Sequence, residues 1–354
     1  MFRLHFLASA LKLLHLRETI PWFGGHSGYE QLTRNLPAQQ EVWTVKPRSG
    51  QLARYAGSAY ERLQGRYGRG ATSLSELEFR LQRKLRRPDA SHVLYLEHHL
   101  DMLRAWPKAG KDLIGSVHLP APIWKPEQCE LLARLNSALV LYQRDIPFFE
   151  KYVGKGRVRF IHHGADVDFF KPDLSKRSAT PRILYSGVYL RNEAMLVRVA
   201  ERVLEKFPAV KFDLLVPVHH RQNVNLKALA GHPSVTWHAG LNDEQLRELY
   251  QNCHLLMLPM NDSGANTAVV ESMTSGLPVA TTDVGGIRDY GGGDIYPLVA
   301  NHDDDAMVAL VEQYLSEPEW RDEIGGQCRR FAEQKLAWPL VAEKHLESYR
   351  ALIA

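Results

Sequence analysis

Residues 261–286 read NDSGANTAVVESMTSGLPVATTDVGG. The apolar run before them, 254–259 (HLLMLP), is short enough for a buried parallel strand. Small polar residues at 262–267 lead into a helix-like run at 268–275, which ends on Gly276 and Pro278, the usual stop signals. VATT at 279–282 reads as the next strand, and a second Gly-containing loop follows at 283–286. Two successive strand-to-helix loops therefore open on one edge of a parallel sheet. That edge is where open α/β sheets bind ligands. A helix N-terminus there offers unpaired N–H groups and partial positive charge, which suits a phosphate.

Glu271 stands about one turn into that helix, among Ala, Val, Met and Gly. A carboxylate there can accept hydrogen bonds from vicinal hydroxyls such as those of a ribose; it can equally be an acidic residue favoured by the helix dipole. The whole string resembles the retaining GT-B glycosyltransferases of the large family 4 type, the sucrose-synthase and mannosyltransferase-like group. Their signature is two glutamates with seven residues between them, a small-residue helix, Gly-x-Pro-Val and a Thr-Asp-x-Gly-Gly loop. The resemblance makes Glu271 the ribose-holding glutamate and assigns the phosphate-binding amides to Thr267 and Ala268. The first glutamate, which contacts the donor sugar in that family, is replaced by Ser263, with Asp262 beside it. Asp262, Ser263, Gly264 and Asn266 complete the donor-binding loop that the resemblance implies.

The chain has 354 residues, 45% of them hydrophobic and 24% charged, which suits an ordinary globular chain of two domains. A net charge of +4 is too mild to imply nucleic acid. Cys129, Cys253 and Cys328 are far apart without C-x-x-C spacing, which argues against structural zinc and a disulfide scaffold and points to a reducing cytoplasm. The N-terminal MFRLHFLASALKLLHLRE reads as a first strand at 3–8 and a loop, with a targeting segment as the alternative. No stretch approaches the roughly 20 apolar residues that span a bilayer.

Gly24, Gly25 and Gly28 follow that first strand and allow a tight turn or a close backbone approach. The resemblance places the donor diphosphate at Gly24 and Gly25. From 46 to 87 the composition turns basic, with eleven Lys or Arg against three Glu, and Tyr55, Tyr60, Leu63 and Tyr67 interleave at roughly helical spacing. A membrane-surface helix or a clamp for an anionic lipid-linked acceptor has this pattern, and so does a solvated helical insert. No nucleic-acid recognition motif accompanies it. Strands at 92–96 and 112–118 both end on histidines. Adjacent His98 and His99 would point to opposite faces of an extended chain, and nothing near them has ligand spacing, so no metal site is assigned. For His118 the resemblance implies a place against the donor sugar; a hydrogen-bonded structural histidine is the alternative.

Residues 162–172 (HHGADVDFFKP) resemble the family's interdomain linker, with His163 in place of its Asn. Strands at 182–187, 211–216 and 235–238 and helices at 193–207 and 242–252 restart the alternation, with Asn242 as N-cap. The family's Gly-Arg after the first of these strands is Gly187-Val188 here, and its downstream Lys is absent. Arg191 is the nearest cation able to neutralise a β-phosphate, unless it simply faces solvent. The resemblance is close from Ile161 onward and covers the first half in outline only.

These readings predict an α/β protein of the GT-B fold, two Rossmann-like doubly wound domains facing across a cleft. The expected domains are 1–165 for the acceptor, 166–335 for the nucleotide sugar, and a helix at 336–354 returning to the first. The implied reaction moves a sugar from a nucleotide diphosphate sugar to an acceptor hydroxyl on a glycan, a lipid-linked or a small molecule, with retention and without metal or other cofactor. His118 and Arg191 are the expected catalytic groups. A non-catalytic nucleotide-binding protein and a sugar-nucleotide 2-epimerase remain the alternatives. The expected location is the cytoplasm, with peripheral contact to the inner membrane face through 46–87 as an added partner.

Overall fold

The computed structural model describes residues 10–353 except 19, 22, 64–69 and 105–110. They form two compact units. One takes the described residues up to Ile20, those of Tyr29–Ile161 and those from Ala342; the other takes the described residues of Pro21–Gly28 and His162–Val341. The breaks expected after 165 and 335 fall after 161 and 341. Local bonding explains the first shift: the His163 amide donates to the Tyr290 hydroxyl at 2.8 Å and Ala165 bridges to Ala337, so 162–165 are held in the second unit.

In the first unit six parallel strands lie in the order β2-β1-β3-β4-β5-β6. They are β1 Lys12–Leu16, β2 Glu41–Val45, β3 Ala90–Val93, β4 Leu113–Val117, β5 Ser137–Val140 and β6 Val158–Phe160. The strand expected at 3–8 lies outside the described residues. Lys12 opens β1 with its side chain exposed and its amide donating to Asp89 at 2.8 Å. Leu13, Leu14 and Leu16 follow it into the core. Both faces of a parallel sheet are covered, so its strands read as near-continuous apolar runs.

His15 breaks that run yet is fully buried. Its Nδ1 lies 2.9 Å from Thr33 Oγ1, and its Nε2 lies 3.4 Å from the Tyr349 hydroxyl. Tyr349 also meets His92 Nδ1 at 2.7 Å, His92 Nε2 meets Ser116 Oγ at 2.8 Å, and Tyr29 joins Ser116 to His345. This hydrogen-bonded cluster ties the last helical turns, from Ala342 on, to the sheet. Buried polar groups are tolerated only when bonded in this way.

Burial, with His345 and Arg17 nearby, pulls the His15 pKa from 6.5 to about 3, and burial pulls His92 well below 6.5. Each ring must stay neutral in the folded chain but takes a proton in the unfolded one. Their stabilising contribution is therefore complete above 6.5 and is lost as pH falls toward the folded values. The stability difference between wild type and His15→Gln should narrow by about 1.4 kcal/mol between pH 7.5 and pH 5.5. Urea unfolding at the two pH values measures it; a constant difference would contradict a neutral buried His15.

The second unit holds β7 Arg182–Ser186, β8 Lys211–Leu215, β9 Val235–His238, β10 Leu255–Leu258, β11 Val279–Thr282 and β12 Leu298–Val299. All pairs are parallel, in the order β12-β11-β10-β7-β8-β9. Read from β9, that is the doubly wound order 3-2-1-4-5-6, whose direction of winding reverses between β7 and β10. Asp213, buried on β8, takes two bonds from Arg182 on β7 (2.7 and 2.6 Å) and one from His238 on β9 (2.8 Å). Despite its burial, His238 and Arg182 hold its carboxyl below the usual range. No helix among the described residues is long and apolar enough to cross a membrane.

Candidate functional site

The crevice outside the carboxyl ends of β7 and β10 is where such a sheet takes its ligand. The loops after these strands meet there, joined by a bridge between Arg191 and Met260. The helix Thr267–Thr274 starts at this point. Asn266 caps it, accepting from the Ala268 and Val269 amides at 3.1 and 3.3 Å. Thr267, the first helical residue, has an amide with no intrahelical acceptor. Gly276, with φ +73°, closes the helix at its far end.

Arg191 reaches this N-terminus. Its guanidinium donates to the Ser186 carbonyl (3.0 and 3.1 Å) and the Tyr189 carbonyl (2.9 Å), and one nitrogen lies 3.5 Å from Asn266 Oδ1. No carboxylate among the described residues lies within ion-pair distance of it. Burial pulls its pKa down, with the Tyr185 and Tyr250 phenols acting the other way. A cation held at a helix N-terminus without a counter-charge leaves room for an anion.

Glu271 is buried one turn along the helix. Its two oxygens accept from Ser27 Oγ at 2.6 Å and from the Tyr250 hydroxyl at 2.9 Å. Burial pushes its pKa up to about 7, although both hydroxyls pull it down. The carboxyl is thus already occupied by two hydroxyl donors, the kind of group a ribose would present.

Gly24, Gly25 and Ser27 pack within the second unit. The Gly25 amide donates to Asp243 Oδ2 at 2.7 Å, and a Cβ on Gly24 would lie 1.8 Å from Asp243 Oδ1. The Asp243 carboxylate therefore stands where the diphosphate was expected and takes the Gly25 amide. His26 pairs with Asp166 at 2.6 Å and stacks on Phe169 at 3.7 Å between centroids.

Ser263 is buried with its hydroxyl turned to the Gly264 carbonyl, 2.8 Å away, and its amide on Asp262 Oδ1. Gly286 donates to the Ser263 carbonyl at 2.8 Å, and a Cβ on Gly285 would sit 1.9 Å from that oxygen. The Gly-Gly of the second loop thus supports the first through backbone contact. The sites at Arg191, 262–268 and Glu271 come together in this unit, while His118 belongs to the other.

His118 ends β4, stacked on Tyr95 at 4.5 Å and edge-on to Tyr29 at 4.9 Å. Glu97 accepts from the His118 and Leu119 amides and lies 3.5 Å from His118 Nδ1. Burial works against its charge, but His118 and the backbone donors hold the Glu97 carboxyl below the usual range. Glu97, Tyr250, Asp243 and Ser27 were not singled out from sequence. Only Ser27 had a local signal, its place in the glycine-rich run at 24–28.

Residues 180–317 match the family described as glycosyl transferases group 1. Most of the second unit thus falls within that match. The match contains Arg191, the 262–268 loop and Glu271, but not Gly24, Gly25, Ser27 or His118. Over 222 residues the chain is 28% identical to a D-inositol 3-phosphate glycosyltransferase of Nocardiopsis dassonvillei, an alignment covering 56% of this chain and 51% of that one. The chain spans about half the length of the curated relatives it matches first. In three dimensions it resembles a sucrose-phosphate synthase of Thermosynechococcus elongatus, with a TM-score of 0.73, 14% identity and coverage of 97% and 99% of the two chains. It also resembles HepE of Anabaena, solved with UDP and glucose, at TM-score 0.71, 13% identity and 96% and 100% coverage. The fold is that of the GT-B glycosyltransferases, two Rossmann-like domains.

Proposed function

We propose that the protein is a glycosyltransferase whose group 1 domain binds a nucleoside-diphosphate sugar and passes the sugar to an acceptor hydroxyl. One observation carries the reading: the Arg191 guanidinium, with no carboxylate partner among the described residues, sits at the N-terminus of the Thr267–Thr274 helix beside the sheet's switch point. The diphosphate takes the place of the missing counter-charge. Glu271 holds the ribose, exchanging the Ser27 hydroxyl for those of the sugar.

In the reaction the bond from the anomeric carbon to the diphosphate oxygen breaks, and its electron pair leaves with the diphosphate. The acceptor oxygen bonds to that carbon and its proton passes to the leaving phosphate. Negative charge grows on the diphosphate, where Arg191 and the helix terminus stabilise it. This assistance needs neither a protein nucleophile nor a metal, and the resemblance implies retention of configuration. Since HepE was solved with UDP, uridine diphosphate sugars are the first donors to try.

The test is nucleotide release from a donor panel with acceptor present and a chelator added, with the product anomer read by NMR. Release with retention supports the proposal. Binding without turnover under every acceptor would replace it by the non-catalytic reading, which the inward-turned Ser263 favours. Isomerised donor without acceptor would replace it by an epimerase.

A further inference from the structure

The basic segment of the first unit folds into two helices in contact, Gln51–Leu63 and Gly70–Arg86; Arg66, Tyr67 and Arg69 lie outside the described residues. The inward side of the Gln51–Leu63 helix carries Gly57 and Glu61, both buried. Gly57 has no room for a side chain, since a Cβ would lie 1.7 Å from the Gly70 carbonyl oxygen, and Glu61 accepts from Ser73 Oγ at 2.7 Å. At 100° per residue, Leu52, Tyr55, Ala56, Ala59 and Leu63 then share the opposite side. All five are exposed, Leu52 at 86%, Tyr55 at 72% and Leu63 at 88%. On the second helix Leu81 and Leu85, one turn apart, are 53% and 77% exposed. Surface helices ordinarily turn polar residues outward, so this solvent-facing leucine stripe runs against the rule.

The charge around it has one sign. Glu61 is buried against Ser73, Glu76 is buried 3.2 Å from His99, and Glu78 is paired with Arg48. The segment's three glutamates are thus spent internally or on a partner, whereas Arg54, Arg62, Lys84 and Arg87 are exposed. A second copy docking through this face by two-fold symmetry would set cations against cations. A nucleic acid would satisfy the cations and leave the leucines in water. An anionic bilayer surface satisfies both.

We propose that this helix pair docks the protein on a membrane containing anionic lipid. The leucines enter the boundary between headgroups and acyl chains, and the cations meet headgroup phosphates. This inference does not rest on the donor reading, because it concerns another unit and another ligand.

The test is sedimentation of the full chain with phosphatidylcholine vesicles, with and without phosphatidylglycerol, at low and high salt. Binding should be at least about tenfold tighter to the anionic vesicles and should weaken as salt screens the charges. A Leu52→Gln, Leu63→Gln, Leu85→Gln variant should lose about tenfold or more, as should Arg62→Glu with Lys84→Glu. Circular dichroism and nucleotide affinity of each variant should match wild type, which separates a failure here from a failure of the donor reading. Absence of vesicle binding, or leucine variants that bind as wild type does, would overturn the proposal. So would a concentration-dependent dimer that the leucine variant abolishes, or tighter binding to RNA than to vesicles.

Discussion

Glu271→Ala lowers affinity for the nucleoside diphosphate by about 100-fold while the chain keeps its fold. Hydrogen bonds to a charged group contribute about 1.5–3 kcal/mol each, and two ribose hydroxyls bonding near the low end of that range, less the Ser27 bond they displace, give about that factor. The helix should survive, because Asn266 caps it and Gly276 ends it independently of Glu271. The variant does strand the Ser27 and Tyr250 hydroxyls, at a stability cost of about 1–3 kcal/mol for each that finds no water. Two companions sharpen the test. Ser27→Ala removes the resident hydroxyl that a ribose must displace, so it should tighten binding. The carboxyl titrates near 7, and only its charged form accepts from two hydroxyls with both oxygens. Wild-type affinity should therefore rise between pH 6 and pH 8, and Glu271→Gln should lose that component. Unchanged affinity in Glu271→Ala would remove the residue from the site.

Arg191→Met acts on the other end of the ligand. It should cost about 10- to 100-fold in affinity for the diphosphate, the scale of one or two charge-assisted bonds. It should leave the affinity for the bare nucleoside unchanged, because only the phosphates meet the guanidinium. Arg191→Lys should fall between, since an ammonium keeps the charge but loses the planar fork that also holds the Ser186 and Tyr189 carbonyls. Isothermal titration with nucleoside and diphosphate side by side measures both. Equal losses for the two ligands would mean that Arg191 supports the loop rather than the phosphate.

Much of the second unit was legible because its signals are local. Strand β10 is an unbroken apolar run, β7, β8 and β11 are largely apolar with β11 at 279–282 as expected, and Asn242 forms a capping box with Gln245. The strands' spatial order followed only from the resemblance. In the first unit the signal at β1 was masked by Lys12 and His15, whose partner Tyr349 is 334 residues away. Long-range pairs hid the site in the same way. Ser27 and Glu271 are 244 residues apart, and no pattern in either stretch announces the bond. The glycines at 24 and 25 read as positions for a tight turn or for close approach to a ligand, and the group that lies close to both is the Asp243 carboxylate, 219 and 218 residues away, which no local pattern announces. The basic segment was visible as composition, whereas its leucine stripe depends on knowing that Gly57 and Glu61 face inward.

The most direct test of the central claim is a thermal-shift panel of UDP, GDP, ADP and dTDP, run with a chelator present. A ligand that binds only the folded chain raises Tm by mass action, so at 100 times its Kd it adds about 2.7 kcal/mol. The site described above predicts a clear shift of several degrees with one of the four, and its loss in Glu271→Ala and Arg191→Met. No shift with any of them at millimolar concentration would contradict a nucleotide site at the β7–β10 switch point.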